Sequence, residues 1–161
     1  MHRREIAAVI LASLLTATVS AQQSDAKKLK DQLTGDAKGA ASANPQCKLF
    51  TVAEISTYVS SPLGPGENAG GGAGCMWSND DDNASAIVSV VSERYFPEPN
   101  LVKGFRRLPD VGTRGWVAPD SGWSAGAVVQ GEAIIVVISG KKATEASAVT
   151  LLKEVIKRRK K

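Results

Sequence analysis

Residues able to do chemistry are scarce in this chain, and their spacing argues against an active site. The one histidine is His2. It lies in a stretch, residues 1–21, that reads as a cleavable leader. The remainder then has no imidazole for general-base work, for a serine or cysteine triad, or for zinc. The two cysteines, Cys47 and Cys75, close a loop of 29 residues. An even cysteine count in an exported chain reads as one disulfide, the alternative being two free buried thiols. Such a bridge is worth about 3.6 kcal/mol in the chain-entropy picture, a large share of a domain stability of about 5–15 kcal/mol. It also leaves no thiolate. Their spacing suits neither a CxxC redox pair nor a metal site, so no cofactor or metal is expected.

Other patterns are weaker. Ser-x-x-Lys occurs at Ser24–Lys27 and Ser139–Lys142 without its companion motifs, so a hydrolase of that kind is a remote alternative. Asp80, Asp81 and Asp82 follow one another on a turn. The run from Asn79 imitates the start of a calcium loop but has Ala84 and Val90 where glycine and glutamate are required. The glycine-rich stretch Gly64–Gly74 lacks a following Lys-Ser/Thr and precedes a strand, so it fails the phosphate-loop tests. What remains is a possible ligand shelf. Trp116 and Trp123 flank the turn Pro119–Gly122, and with Phe105 on the same face they would offer aromatic surface. Arg106 and Arg107 stand beside it and could receive an anionic group.

The elements that must position these residues are read from capping and periodicity. Met1–Glu5 carries Arg3 and Arg4, Ile6–Thr18 is uncharged, and Val19-Ser20-Ala21 is a cleavage pattern. The leader is expected to be removed after Ala21, leaving a periplasmic or secreted protein. Residues 22–46 are polar and read as a flexible tether. A single domain is expected over 47–158. Thr51 and Glu54 form a capping box, with Phe50 and Ile55 as a hydrophobic staple, over a helix whose face is Val52, Ile55 and Val59. Strands follow at Cys75–Ser78 and Ala86–Tyr95, then a short helix over Leu101–Arg107. Further strands cover 114–118, 123–130 and 133–139, and Thr144 caps a last helix facing inward through Val149, Leu152, Val155 and Ile156. The fold class is α+β: an antiparallel sheet of about five strands against an N-terminal and a C-terminal helix.

Ala133–Ile138 is apolar on both alternating faces, which predicts a central strand covered on both sides. Two helices cover only one face, so the 96–110 excursion is expected over part of the other, with a ligand or another protein as the alternatives. The net charge of +4 is concentrated at one end. Lys157, Arg158, Arg159, Lys160 and Lys161 supply five positive charges, while residues 22–156 sum to −2. Nucleic acid is therefore not an expected partner. The basic tail 157–161 is expected either to complement a helix terminus or to touch an anionic envelope surface.

Three short motifs carry a resemblance. They are Cys47-Lys48-Leu49-Phe50 before the capped helix, Gly74-Cys75-Met76-Trp77 opening a strand, and Leu108-Pro109-Asp110-Val111-Gly112 before the last three strands. Through them, residues 46–158 resemble small exported bacterial domains of unknown function related to the PsbP-like fold. The resemblance implies a non-enzymatic accessory or binding role and brings no catalytic residues. The expectation is thus an exported binding or accessory module of the cell envelope. An envelope interaction protein or an inhibitor of a secreted enzyme is the alternative.

Overall fold

Seven segments with strand-forming residues pair into one antiparallel sheet in a computed structural model that describes residues 41–160. In chain order they are β1 (Glu67–Ala69), β2 (Gly74–Asn79), β3 (Ala84–Ser92), β4 (Arg106–Arg107), β5 (Thr113–Ala118), β6 (Trp123–Val129) and β7 (Glu132–Ser139). Two α-helices accompany them, α1 (Val52–Ser56) and α2 (Glu145–Arg159). The spatial order is β1-β2-β3-β7-β6-β5-β4. Two meanders therefore meet where β3 pairs with β7, from Ser85 opposite Ser139 to Ser92 opposite Glu132. That junction places the doubly apolar strand β7 at the centre of the sheet.

The expected strand count of five is corrected to seven, for two different reasons. Strand β1 lies inside the glycine-rich stretch and is too short to show alternation. Strand β4 replaces the helix expected over Leu101–Arg107. Its two residues pair with Val117 and Trp116, because backbone pairing to a waiting strand outweighs weak helical propensity in a seven-residue window. Residues 1–40, on which the expected leader and most of the expected tether fall, lie outside the described residues. Order begins before Cys47: Asn44 and Gln46, placed by sequence in the tether, are buried. The Asn44 side-chain amide donates to Asn68 Oδ1 (2.7 Å) and to the Gly74 carbonyl (2.8 Å).

Both caps are as their residues dictate. Thr51 Oγ1 accepts from the Glu54 amide, and the Glu54 carboxylate accepts from the Thr51 amide at 2.7 Å. Phe50 and Ile55 are both buried, as a staple requires. Thr144 caps α2 through the Ser147 amide. Val52 departs from expectation: it is exposed, and the short helix presents only Ile55 to the core, with Val59 following in the next turn.

Strand alternation divides the core in two. On one face α2 packs through Ala148, Leu151, Leu152 and Val155 over Val117, Ala125, Ala127, Ile134, Val136 and Ile138. The same cluster takes in Trp77 and Cys75, whose disulfide to Cys47 (Cα–Cα 5.1 Å) ties the segment before α1 to β2. On the other face a smaller cluster unites Phe96, Trp116, Ala118, Val128 and Ala133 with Val91, Val102, Phe105 and Ile135. The 96–110 excursion therefore covers part of the second face, and neither described helix contributes to it.

Candidate functional site

The five residues singled out as a ligand surface are split by the sheet. Successive strand residues point to opposite faces. Register pairs Ala118 with Ser124 and Trp116 with Gly126, so Trp123 falls one position out of step with Trp116. Trp123 packs into the helix-side core, and a shelf shared by the two tryptophans is corrected. The same alternation separates the arginines. Arg106, opposite Val117, reaches Glu145 in the first turn of α2. Arg107, opposite Trp116, lies with its guanidinium 5.2 Å from the centre of the Phe105 ring. Phe105, Arg107 and Trp116 remain together on the second face.

There the Trp116 ring has Phe96 and Phe105 beside it, with centroids 6.2 and 6.4 Å away. Beneath it, Gly126 leaves room that no other residue would. A Cβ there would come within 2.9 Å of Phe96 Cε2 and 3.0 Å of Trp116 Cε2 and Cζ2. A bulge between Thr113 and Trp116 shifts the register of β5 against β6. Within it, Arg114 adopts φ +57° and lies over Phe96, 5.1 Å from the ring centre. Bulges commonly re-aim a side chain in this way. Glu98 joins the two cations, bonding Arg107 Nη2 and Arg114 Nε at 2.5 Å each. The Arg107 hydrogen bond, followed by that of Arg114, holds the Glu98 carboxyl below its ordinary range.

One atom in this cluster is unsatisfied. Trp116 is 2 % exposed, yet its indole Nε1 donates to nothing. An orphaned buried donor costs about 1–3 kcal/mol, which makes it a place where an acceptor is wanted. From Gly126 the second face continues across the sheet as Ile135 and Ser89, and one row further as Ser124, Val137, Ile87 and Met76. Met76, Ile87, Ile135 and Val137 are all only half-buried. At a strand spacing of about 4.8 Å the row from Ser124 to Met76 runs about 14 Å. Hydroxyls flank it: Ser85 and Ser139 bond each other at 2.9 Å, which also occupies the serine of the second Ser-x-x-Lys pattern. Sequence reasoning missed Phe96, Gly126 and Arg114. A turn-like Phe-Pro, a small residue in a strand and an arginine in a bulge carry no periodic signal.

Elsewhere, a half-open cleft of about 130 Å³ lies between the end of α1, the β2–β3 turn and the β7–α2 loop. Its Asp82 accepts from the Ser61 hydroxyl, and Lys141 and Lys142 beside it are exposed. The Asp80–Asp82 run forms a polar turn, with Asn79 Oδ1 accepting from the Asp81 and Asp82 amides. Among the described residues no three His, Cys, Asp or Glu side chains gather to hold a metal.

The basic tail begins at a helix C-terminus, the first of the two places expected of it. Lys157, Arg158 and Arg159 form the last turn of α2. Arg158 bonds Glu54 and Glu154 (2.9 Å each) and the Leu49 carbonyl, with its guanidinium 4.2 Å from the Phe50 ring centre. Arg159 pairs with Glu132. Two of the five cations are thus engaged in holding α2 against its neighbours. Arg158, followed by the Thr51 amide and hydroxyl, draws the Glu54 carboxyl down from 4.5 to about 2.

Fold and site together define a small disulfide-bonded α+β domain with one closed sheet face and one partly covered apolar face. Comparison with protein-family models, with curated proteins and with solved structures returns no match. The disulfide fits an extracellular or periplasmic location. Among the described residues, no helix is long and apolar enough to cross a membrane.

Proposed function

We propose that this is an exported, non-enzymatic binding module of the cell envelope, and that its site is the second sheet face beside Trp116. The ligand is a small amphipathic molecule. Its acceptor oxygen takes the Trp116 indole N–H, and its apolar body lies along Ile135, Val137 and Ile87. Arg107 and Arg114 stand at the rim for a negative substituent. The observation that carries this reading is the unpaired Nε1 of a tryptophan that shares its sheet face with a half-covered apolar strip; the atom itself is buried, so the ligand's acceptor reaches it as the flanking Phe96 or Phe105 ring moves aside. Ligand sites are commonly apolar surfaces with a few placed polar groups, and this one offers a donor whose pairing with a ligand removes an existing cost.

Native mass spectrometry of protein purified from its own host tests the reading. A bound small molecule is expected, lost from the Trp116→Phe variant. An empty protein, together with an indole N–H resonance of Trp116 that does not move when decanoate is titrated in, overturns it.

A further inference from the structure

One carboxylate governs the approach to Trp116. The indole Cε2, which is bonded to Nε1, and Phe96 Cε2 meet over Gly126, the residue opposite Ile135. The Phe96 ring thus stands beside the donor-bearing edge of the indole, where the half-buried strip begins. Each ring flanking Trp116 carries one guanidinium. Arg114 lies 5.1 Å from the centre of Phe96, and Arg107 5.2 Å from that of Phe105. Glu98 bonds both cations, at 2.5 Å each. Two rings, two arginines and one carboxylate form a closed clasp over the indole.

The backbone of Glu98 is held in place. It stands between Pro97 and Pro99, which restrict the chain on either side, and its carbonyl accepts from the Asn100 amide at 2.8 Å. Its side chain is 16 % exposed, the most enclosed acid in any ion pair among the described residues. Glu93, 3.7 Å from Arg114, is a looser and more exposed partner. Arg107 and Arg114 keep 53 % and 45 % of their side chains in solvent. A carboxylate arriving from solvent can therefore reach both guanidiniums. It offers them the same two-oxygen acceptor that Glu98 now supplies, and Glu98 can leave by rotating about its side-chain bonds alone.

We infer that Glu98 is an internal occupant of the head-group position, and that the ligand is an aliphatic carboxylate that displaces it from Arg107 and Arg114. This rests on the site proposed above and names its ligand class. As Glu98 swings out, Arg114 leaves Phe96 and the ring moves off Gly126. One oxygen of the incoming carboxylate then accepts from Nε1 while the other stays on the guanidiniums. Arg107, Trp116, Gly126 and Ile135 are successive cross-strand neighbours, so the chain of such a ligand runs from the arginines onto the strip. A neutral head group gives the arginines no replacement for Glu98 and binds more weakly.

The test titrates decanoate and decan-1-ol into the protein at neutral pH and follows the indole N–H resonance of Trp116. Decanoate is expected to bind about tenfold more tightly than the alcohol, the scale of one charge-assisted hydrogen bond. Glu98→Gln keeps the shape and removes the competing charge. It should tighten decanoate binding about tenfold and that of the alcohol by less than about threefold. Arg107→Gln should bring the two ligands within about threefold of each other. Circular dichroism checks that the variants fold, and each gives a separate reading. The inference is overturned if the alcohol moves the resonance and decanoate binds no more tightly, or if Glu98→Gln leaves decanoate affinity unchanged; the site proposed above then stands with a different ligand class. If neither ligand moves the resonance in the parent or in Glu98→Gln, the site itself fails and the inference with it.

Discussion

Replacing Trp116 by phenylalanine tests the chemistry of the site through stability. Trp116 is 2 % exposed and its Nε1 has no partner. The smaller ring removes two buried carbons, a loss of about 1.6 kcal/mol at about 0.8 kcal/mol each. The space left between Phe96, Phe105 and Gly126 relaxes incompletely and adds about 1 kcal/mol. Against this, the substitution removes an orphaned donor and returns about 2 kcal/mol. The net cost is about 0.6 kcal/mol. Were the indole bonded, no such return would arise and a hydrogen bond would be lost, for a total of about 3.5 kcal/mol. Urea unfolding followed by far-ultraviolet circular dichroism separates the two cases, given extrapolation errors of about 10–15 %. In protein refolded free of ligand, a loss of about 3 kcal/mol or more would refute the claim that Nε1 is unsatisfied, and with it the main support for the proposed site.

Three further outcomes are expected. Reducing the Cys47–Cys75 bond, which spans a separation of 28 residues, should cost about 3.6 kcal/mol and lower Tm by about 10–20 °C; a calorimetric shift of only a few degrees would contradict the loop-entropy account. Gly126→Ala should destabilise by about 1–3 kcal/mol through overpacking; altered near-ultraviolet circular dichroism should report displaced Phe96 and Trp116 rings, and unchanged spectra would count against the packing. The depressed Glu54 carboxyl, at about 2 against 4.5, contributes stability that is fully present above pH 4.5 and is lost as pH falls through about 2. Glu54→Gln should therefore be less stable than the parent at pH 7 and converge with it in strong acid, and a gap that persists there would locate the effect elsewhere.

How much could be read in advance depended on the range of the interaction. The Thr51–Glu54 capping box and the Thr144 cap are set within three residues by hydrogen bonds whose donors and acceptors are visible in the chain. The central position of β7 was legible because Ala133–Ile138 is apolar at every position, a pattern that suits a strand with neighbours on both sides, although its second face, at Ile135 and Val137, is only half-covered. The β6–β7 hairpin turns at Gln130-Gly131, where both residues have φ > 0 (53° and 80°), one residue before the gap left between the strands expected over 123–130 and 133–139. Strands β1 and β4 were not legible. Two or three residues have no period, and their pairing comes entirely from the strand alongside.

The candidate site was half legible for the same reason. Phe105, Arg107 and Trp116 were named and do meet, whereas Arg106 and Trp123 were named and face the helices. Cysteine pairing, caps and the doubly apolar strand follow from residue type and local spacing, so the sequence alone determined them, whereas the helix faces were read only in part: Val52 is exposed, and α2 buries Ala148 and Leu151 where Val149 and Ile156 were expected. The side of the sheet on which each aromatic falls, the engagement of Arg158 by Glu54 and the burial of Trp116 under Phe96 were decided only in three dimensions. A shift of one residue in strand register inverts every side chain along a strand, and nothing in the intervening turn announces which register the distant pairing will select.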